Sequence, residues 1–229
     1  MRVDLKDSGL YALAEQVGEA LKSRALMLVT AESCTGGWVG EAVTMVRAAK
    51  REGLPLSCDI GVHHAHLSEM DLGYFDSHCH VIPPFRSLRD RDALRAGLAD
   101  GSIDAICSDH APVDEDAKQM PFGESEAGTT GLELLLPLVL KWASETRLAL
   151  PAALATVTSR PAAILGLSAG SLEVGAAADL CVFDPEAYVR ITPETLRSQG
   201  KNTPYIGYEL PGRVRYTLVS GQVVYQAAG

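Results

Sequence analysis

The sequence predicts an α/β fold in which short buried strands alternate with helices, followed by a tail made of strands alone. Three observations carry this. The apolar runs 56–62 (Leu-Ser-Cys-Asp-Ile-Gly-Val) and 103–107 (Ile-Asp-Ala-Ile-Cys) read as buried strands, and they end in polar residues, His63-His64 and Ser108-Asp109-His110. Segments with helical spacing or helix start and stop signals flank these runs. From residue 169 onward the pattern changes to Gly-punctuated strands, closing on a hairpin.

Taken in order, Leu10, Leu13, Ala14, Val17 and Leu21 fall on one helical face, predicting a helix over 10–23. A strand is expected at 25–30, then a turn over 31–38 that opens a helix running through Val43, Met45, Val46 and Ala49 to Gly53. After the strand 56–62, residues 73–87 with Pro83-Pro84 predict a long loop, and 90–99 a helix closed by Gly101. Residues 111–129 hold Pro112, Pro121, Gly123 and Gly128, and a loop that long is usually functional or disordered. Helices are expected over 130–145 and 151–166, the second with Pro151 in its first turn. In the tail, 179–183 reads as a strand, and 214–219 and 222–225 as a hairpin turning at Ser220-Gly221.

The chain has 229 residues, 47% hydrophobic and 21% charged, an ordinary globular composition. It is slightly short for a complete TIM barrel of roughly 250 residues. The net charge of −9 argues against nucleic acid or an anionic membrane as partner. No apolar run reaches the ~18 residues of a membrane span, and the N-terminus lacks the layout of a signal peptide. Five scattered Cys with no CxxC pair read as free thiols of a cytoplasmic protein.

In a parallel α/β sheet, functional side chains gather at the C-terminal strand ends, where His63 and Asp109 are expected. Imidazole and carboxylate both suit a metal such as zinc, which acidifies bound water and polarises a carbonyl. Read singly, an Asp after a strand is as readily a helix cap, and a His a structural group.

Residues 44–229 resemble the C-terminal portion of class I dihydroorotases, metal-dependent cyclic amidohydrolases of pyrimidine synthesis. The matching segments, in order, are Cys58-Asp59-Ile60-Gly61-Val62-His63-His64, Pro83-Pro84-Phe85-Arg86, Ser108-Asp109-His110-Ala111-Pro112, Pro121-Phe122-Gly123, Thr130-Gly131-Leu132-Glu133 and Arg160-Pro161-Ala162-Ala163. In the tail, Ala178-Asp179-Leu180 and Val182-Phe183-Asp184-Pro185 resemble the accessory β-sandwich of amidohydrolases. The resemblance implies part of a TIM-type (β/α) barrel over 44–168 and a small β-sandwich segment over 169–229. It also implies His63 and Asp109 as metal ligands, zinc as the metal, Asp109 as the catalytic proton carrier, and Arg86, His110 and Gly123 at the substrate. Arg86 is equally suited to a structural salt bridge.

The sequence also departs from the family. The opening His-x-His and the further ligands that precede the matched region have no counterpart upstream of residue 44. Ile82 stands where the family has a substrate-binding Asn, and Val113 where it has a second His. His78-Cys79-His80 offers a replacement His-x-His if extended, since i and i+2 share a strand face, or a surface and substrate-loop role if not. His64 and His66 read as packing groups or as supports to the ligands. Residues 1–43 resemble a different family, the start of the CinA C-terminal nicotinamide-nucleotide amidases, through Ala31-Glu32-Ser33-Cys34-Thr35-Gly36-Gly37. There Ser33 matches the candidate nucleophile, beside the simpler reading of a helix cap.

The function expected is thus a cyclic amidohydrolase of the dihydroorotase family, truncated and impaired on its own, acting on a small molecule. A homo-oligomer is a further expectation. The alternatives are a non-catalytic scaffold for aspartate carbamoyltransferase and a nicotinamide-nucleotide amidase fragment. Allantoin and hydantoins stand beside dihydroorotate as substrates.

Overall fold

A computed structural model of the chain describes residues 39–227, together with Gln16. The strand expected at 25–30, the Ser33 turn and all of the 10–23 helix but Gln16 lie outside the described residues. The first described helix, α1 (Val39–Arg51), runs across the expected junction at 43 and lies against α2 (Leu88–Asp100). Gly97 makes that contact close: a methyl group there would come within 2.9 Å of Ile103 and 3.1 Å of Val43. Helix α2 begins where Ser87 accepts a hydrogen bond from the Asp90 amide (3.2 Å), and it ends at Gly101, whose φ of 80° suits glycine.

The two expected strands form a parallel pair, β1 (Asp59–Gly61) and β2 (Ala105–Cys107), with Ile60 opposite Ile106. Both are shorter than the apolar runs that predict them. After Gly61 the chain tightens into a 3₁₀ turn over Val62–Ala65, so His63 and His64 sit on a turn rather than on a strand end. The Ile60 and Ile106 face packs into the core, while the alternate face carries the exposed Asp59 and Cys107.

The core is organised on α4 (Leu135–Thr146), whose Leu138, Val139 and Trp142 have no exposed surface. Each such side chain contributes about 1.5–3 kcal/mol relative to exposure. Leu98, Ile103, Leu134, Tyr205 and Leu210 close around it. The long loop after β2 contains one short helix, α3 (Glu115–Lys118).

The single helix expected over 151–166 is two helices, α5 (Leu150–Ala155) and α6 (Ser159–Ile164). Thr156-Val157-Thr158 explains the break. The Thr156 and Thr158 hydroxyls donate to the carbonyls of Ala153 (2.6 Å) and Leu154 (2.7 Å), competing with the helical ladder, and three consecutive β-branched residues resist helix.

The tail is a three-stranded antiparallel sheet in the order β3 (Leu180–Arg190), β4 (Glu209–Val219), β5 (Gln222–Gln226). The hairpin turns at Ser220-Gly221, where φ values of 50° and 78° match the mirror-image turn that suits strand twist. Gly212 lets β4 lie on α4, its missing side chain leaving room for Leu140.

Candidate active site

Asp109 lies two residues beyond β2 with φ 48°, a left-handed conformation that Asp tolerates better than most residues. Its side chain sits over Gly61, at the end of the neighbouring strand. A methyl group on Gly61 would lie 2.9 Å from Asp109 Oδ2 and 3.1 Å from His64 Nδ1. Glycine at 61 therefore keeps open the place where the two strand ends present a carboxylate and an imidazole.

The imidazole beside Asp109 is His64. Its Nε2 is 2.9 Å from the Pro83 carbonyl oxygen. A carbonyl only accepts, so Nε2 carries the proton and Nδ1 of the neutral ring is bare. Burial lowers the His64 pKa, opposed by the Pro83 bond and by the Asp109 charge. His63, the expected metal ligand, is fully buried with its ring stacked on Tyr205 at 5.7 Å between centroids. Neither of its ring nitrogens has a hydrogen-bond partner among the described residues. A methyl group on Gly131 would lie 2.9 Å from its Nε2. Burial, reinforced by His64, His66 and His110, pushes its pKa down to about 3, so it is neutral.

His110 is fixed by the loop across from it, with Nδ1 accepting from the amides of Gly131 (3.1 Å) and Leu132 (3.3 Å). Arg86 is half-buried, and its Nε is a shielded donor with no partner among the described residues. Gly123 is exposed and lines a shallow surface groove of about 840 Å³ with Tyr74, Phe75, His78 and Met120; Asp109 is not among its lining residues. The structure thus brings Asp109 to His64, and His110 and His63 to Gly131, while Gly123 lies on a separate groove.

His78-Cys79-His80 is not an extended pair. Ser77–Cys79 forms a 3₁₀ turn, with His78 Nδ1 on Asp76 (3.0 Å) and His80 Nδ1 on the Ser125 hydroxyl (2.9 Å). His66 binds the Leu138 carbonyl oxygen through Nε2 at 2.9 Å.

Two residues absent from the sequence reading hold the loop that follows Asp109. Asn202, 3% exposed, accepts from the Val113 amide (2.9 Å) and donates to the carbonyls of Ala111 (3.0 Å) and Gly128 (3.1 Å). Lys118 donates through Nζ to the carbonyls of Ser77 (3.0 Å), His80 (3.4 Å) and Glu126 (2.6 Å). Apart from α3, the 111–129 segment is ordered by these side chains in place of regular structure. Only the crowding of Gly131 has a sequence signal, in the matched Thr130-Gly131-Leu132-Glu133.

The expected zinc can be tested against these donors. Among the described residues no three His, Cys, Asp or Glu side chains converge as a metal would require. Asp109 and His64 face one space, and His63 is turned into the Tyr205 stack. The described residues do not, by themselves, fit a metal centre.

The described fold is a parallel strand pair backed by helices, with an Asp and a His just beyond its C-terminal ends, and a separate antiparallel sheet. The amidohydrolase family matches residues 29–225. The chain belongs to that family. It is 40% identical over 221 residues to a dihydroorotase-like protein of Pseudomonas putida, covering 95% of this chain and 52% of that one. It is 43% identical over 189 residues to a dihydroorotase of Geobacter sp. (strain M21), covering 82% and 44%. The chain thus spans about half the length of the curated relatives it matches. Among solved structures, the L-hydantoinase (dihydropyrimidinase) of Arthrobacter aurescens superposes with a TM-score of 0.79 at 25% identity, covering 93% of this chain and 48% of that one. A D-hydantoinase from a Thermus species, at TM-score 0.76 and 24% identity, shares the fold.

Proposed function

We propose that this chain serves a cyclic amidohydrolase of the dihydroorotase type, supplying its proton-carrying carboxylate and part of its substrate pocket. The observation that carries this is Asp109, held in a left-handed turn at the end of β2 and facing a bare imidazole nitrogen over Gly61. In ring hydrolysis a carboxylate there takes a proton from the attacking water and returns it to the leaving nitrogen. Arg86 pairs with a substrate carboxylate, and His110 fixes the loop that carries Gly131 against the Asp109 turn. We further propose that zinc, where it binds, takes His63 and Asp109 from this segment, as the family resemblance implies, and completes its ligand set elsewhere. None of the described helices is long and apolar enough to cross a membrane. Free thiols at Cys58, Cys79, Cys107 and Cys181 fit the cytoplasmic location we propose.

The deciding experiment measures dihydroorotate and hydantoin hydrolysis by the purified full chain with added zinc, beside Asp109→Ala. Turnover in the parent that is lost in the variant supports the reading; turnover equal in both refutes it. A second reading, a non-catalytic scaffold for aspartate carbamoyltransferase, draws on Val113, which stands at the family's second His position and is buried, 5% exposed. Co-purification with that enzyme and no turnover would favour it.

A further inference from the structure

We infer that β5 is the surface through which two copies of this chain pair, the outer edges of the two strands running antiparallel about a two-fold axis at Val224. The inference is independent of the chemistry at Asp109, and it assigns a surface to the homo-oligomer expected from the sequence. The tail sheet is anchored at one end only. Leu210 is 1% exposed and Gly212 lies against Leu140 of α4, but no residue of β3, of β4 beyond Gly212, or of β5 is buried. Val182, Tyr216, Val219, Val223 and Val224 are all exposed. A sheet gains stability by burying a face, and this one projects with its apolar side chains uncovered.

The two edges of the sheet differ. β3 carries Asp184, Pro185 and Glu186, and it loses its register with β4 between Asp184 and Tyr188. Charge, proline and irregularity are the devices that keep an edge from pairing. β5, Gln222-Val223-Val224-Tyr225-Gln226, has neither charge nor proline, and among the described residues it pairs with β4 alone. A second copy suits this edge for two reasons. No charged side chain lies between Tyr216 and Gly229, in a chain whose net charge is −9, so two like-charged molecules meet here with little repulsion. The strand is also close to a palindrome. Antiparallel pairing centred on Val224 sets Gln222 of one copy opposite Gln226 of the other, and Val223 opposite Tyr225, a β-branched and aromatic pair that favours sheet. Val224, which the bulge in β5 leaves without a partner on β4, then faces itself across the axis, as an isologous contact requires. The contact is small, so the expected dissociation constant is about 1–100 μM.

The test is sedimentation velocity of the purified full chain over a concentration series spanning that range. The parent is expected to pass from monomer to dimer. Val224→Lys changes an exposed position, sets like charges opposite each other across the axis, and is expected to weaken the dimer by about tenfold or more. Tyr188→Lys, a like change on β3, is expected to leave the dimer intact. In parallel, hydrogen exchange on the parent should show the amides of residues 223–226 better protected at high concentration than at low. Val224→Cys should cross-link into a dimer under mild oxidation, with the parent as the background for its own thiols. Directly opposed residues of an antiparallel pair lie about 4.5–5.5 Å apart between Cα atoms, a span that a disulfide bridges. A parent that is monomeric throughout, or a dimer that Val224→Lys forms as readily, overturns the inference. So does exchange at β5 that is independent of concentration, which holds even if a variant fails to fold. Protection of β5 that appears only on adding aspartate carbamoyltransferase gives the edge to that partner and overturns the pairing of copies. Growth past the dimer with β3 protected as well overturns the closed two-fold contact.

Discussion

Replacing Asn202 with Ala is expected to destabilise the protein by about 3–5 kcal/mol. The figure follows from the three bonds this side chain makes to backbone groups of the 111–128 segment, at 2.9, 3.0 and 3.1 Å. Ala removes all three at once, and because Asn202 is 3% exposed, water does not readily replace them. Each buried backbone group left unpaired costs about 1–3 kcal/mol. The two carbonyls keep a second lone pair for other partners, which places the sum near the low end of each range. Asn202→Asp retains the acceptor for Val113 but sets a carboxylate against the carbonyls of Ala111 and Gly128, and is expected to cost at least as much. The assay is urea denaturation followed by the fluorescence of buried Trp142, with hydrogen exchange at the Val113 amide as a local readout. A loss below about 1 kcal/mol with the Val113 amide still protected would refute the reasoning, since it would mean that the loop is held by something else.

Three further outcomes are expected. Gly131→Ala would put a methyl group within 1.8 Å of the Ser108 carbonyl oxygen, a backbone atom that cannot swing away. Overpacking costs about 1–3 kcal/mol, and this variant should reach the top of that range; a wild-type urea midpoint would contradict this. Lys118→Met should cost about 2–3 kcal/mol by stranding three carbonyls of the loops at 77–80 and 126, and unchanged stability would show that these bonds are not formed in solution. The third concerns pH. Burial lowers the His66 pKa from 6.5 to about 4, so below pH 6.5 the unfolded chain takes up a proton that the folded protein refuses. Stability should therefore fall as pH drops from 6.5 towards 4, by up to about 1.4 kcal/mol per unit, with His63 extending the trend lower. His66→Gln should flatten the urea midpoint against pH relative to the parent; parallel curves would refute the assignment.

What was legible in the sequence was local. Gly101 closes α2 through backbone preference that involves only near neighbours, and Ser220-Gly221 specifies its turn in the same way, whereas the Ser87 cap that starts α2 was not read. The family was legible because several motifs recur in order. The split at Thr156–Thr158 was not, since it turns on hydroxyl groups competing with a ladder that Pro151 and the apolar spacing favour. Nor was the divergence of the His63 and His64 rings. A strand would have alternated them across its faces, whereas the 3₁₀ turn from Val62 sends one ring to Tyr205, 142 positions away in the chain, and the other towards Asp109. Asn202 carried no signal, because its partners lie 74–91 residues distant and depend on how the whole chain is threaded.

That threading bears on how the molecule is made. The Asp109 turn and Asn202 are separated by most of the core, so during synthesis residues 109–128 leave the ribosome well before the side chain that pins them. Emerging at about 5–20 residues per second, the segment waits several seconds with its amide and carbonyl groups facing water. The barrel strands and α4 can assemble from nearer neighbours, but closing the Asn202 loop pays the ordering cost of a long connection. The corner that carries Asp109 therefore acquires its shape late, and a nascent chain paused before residue 202 would carry Asp109 without the loop packed around it.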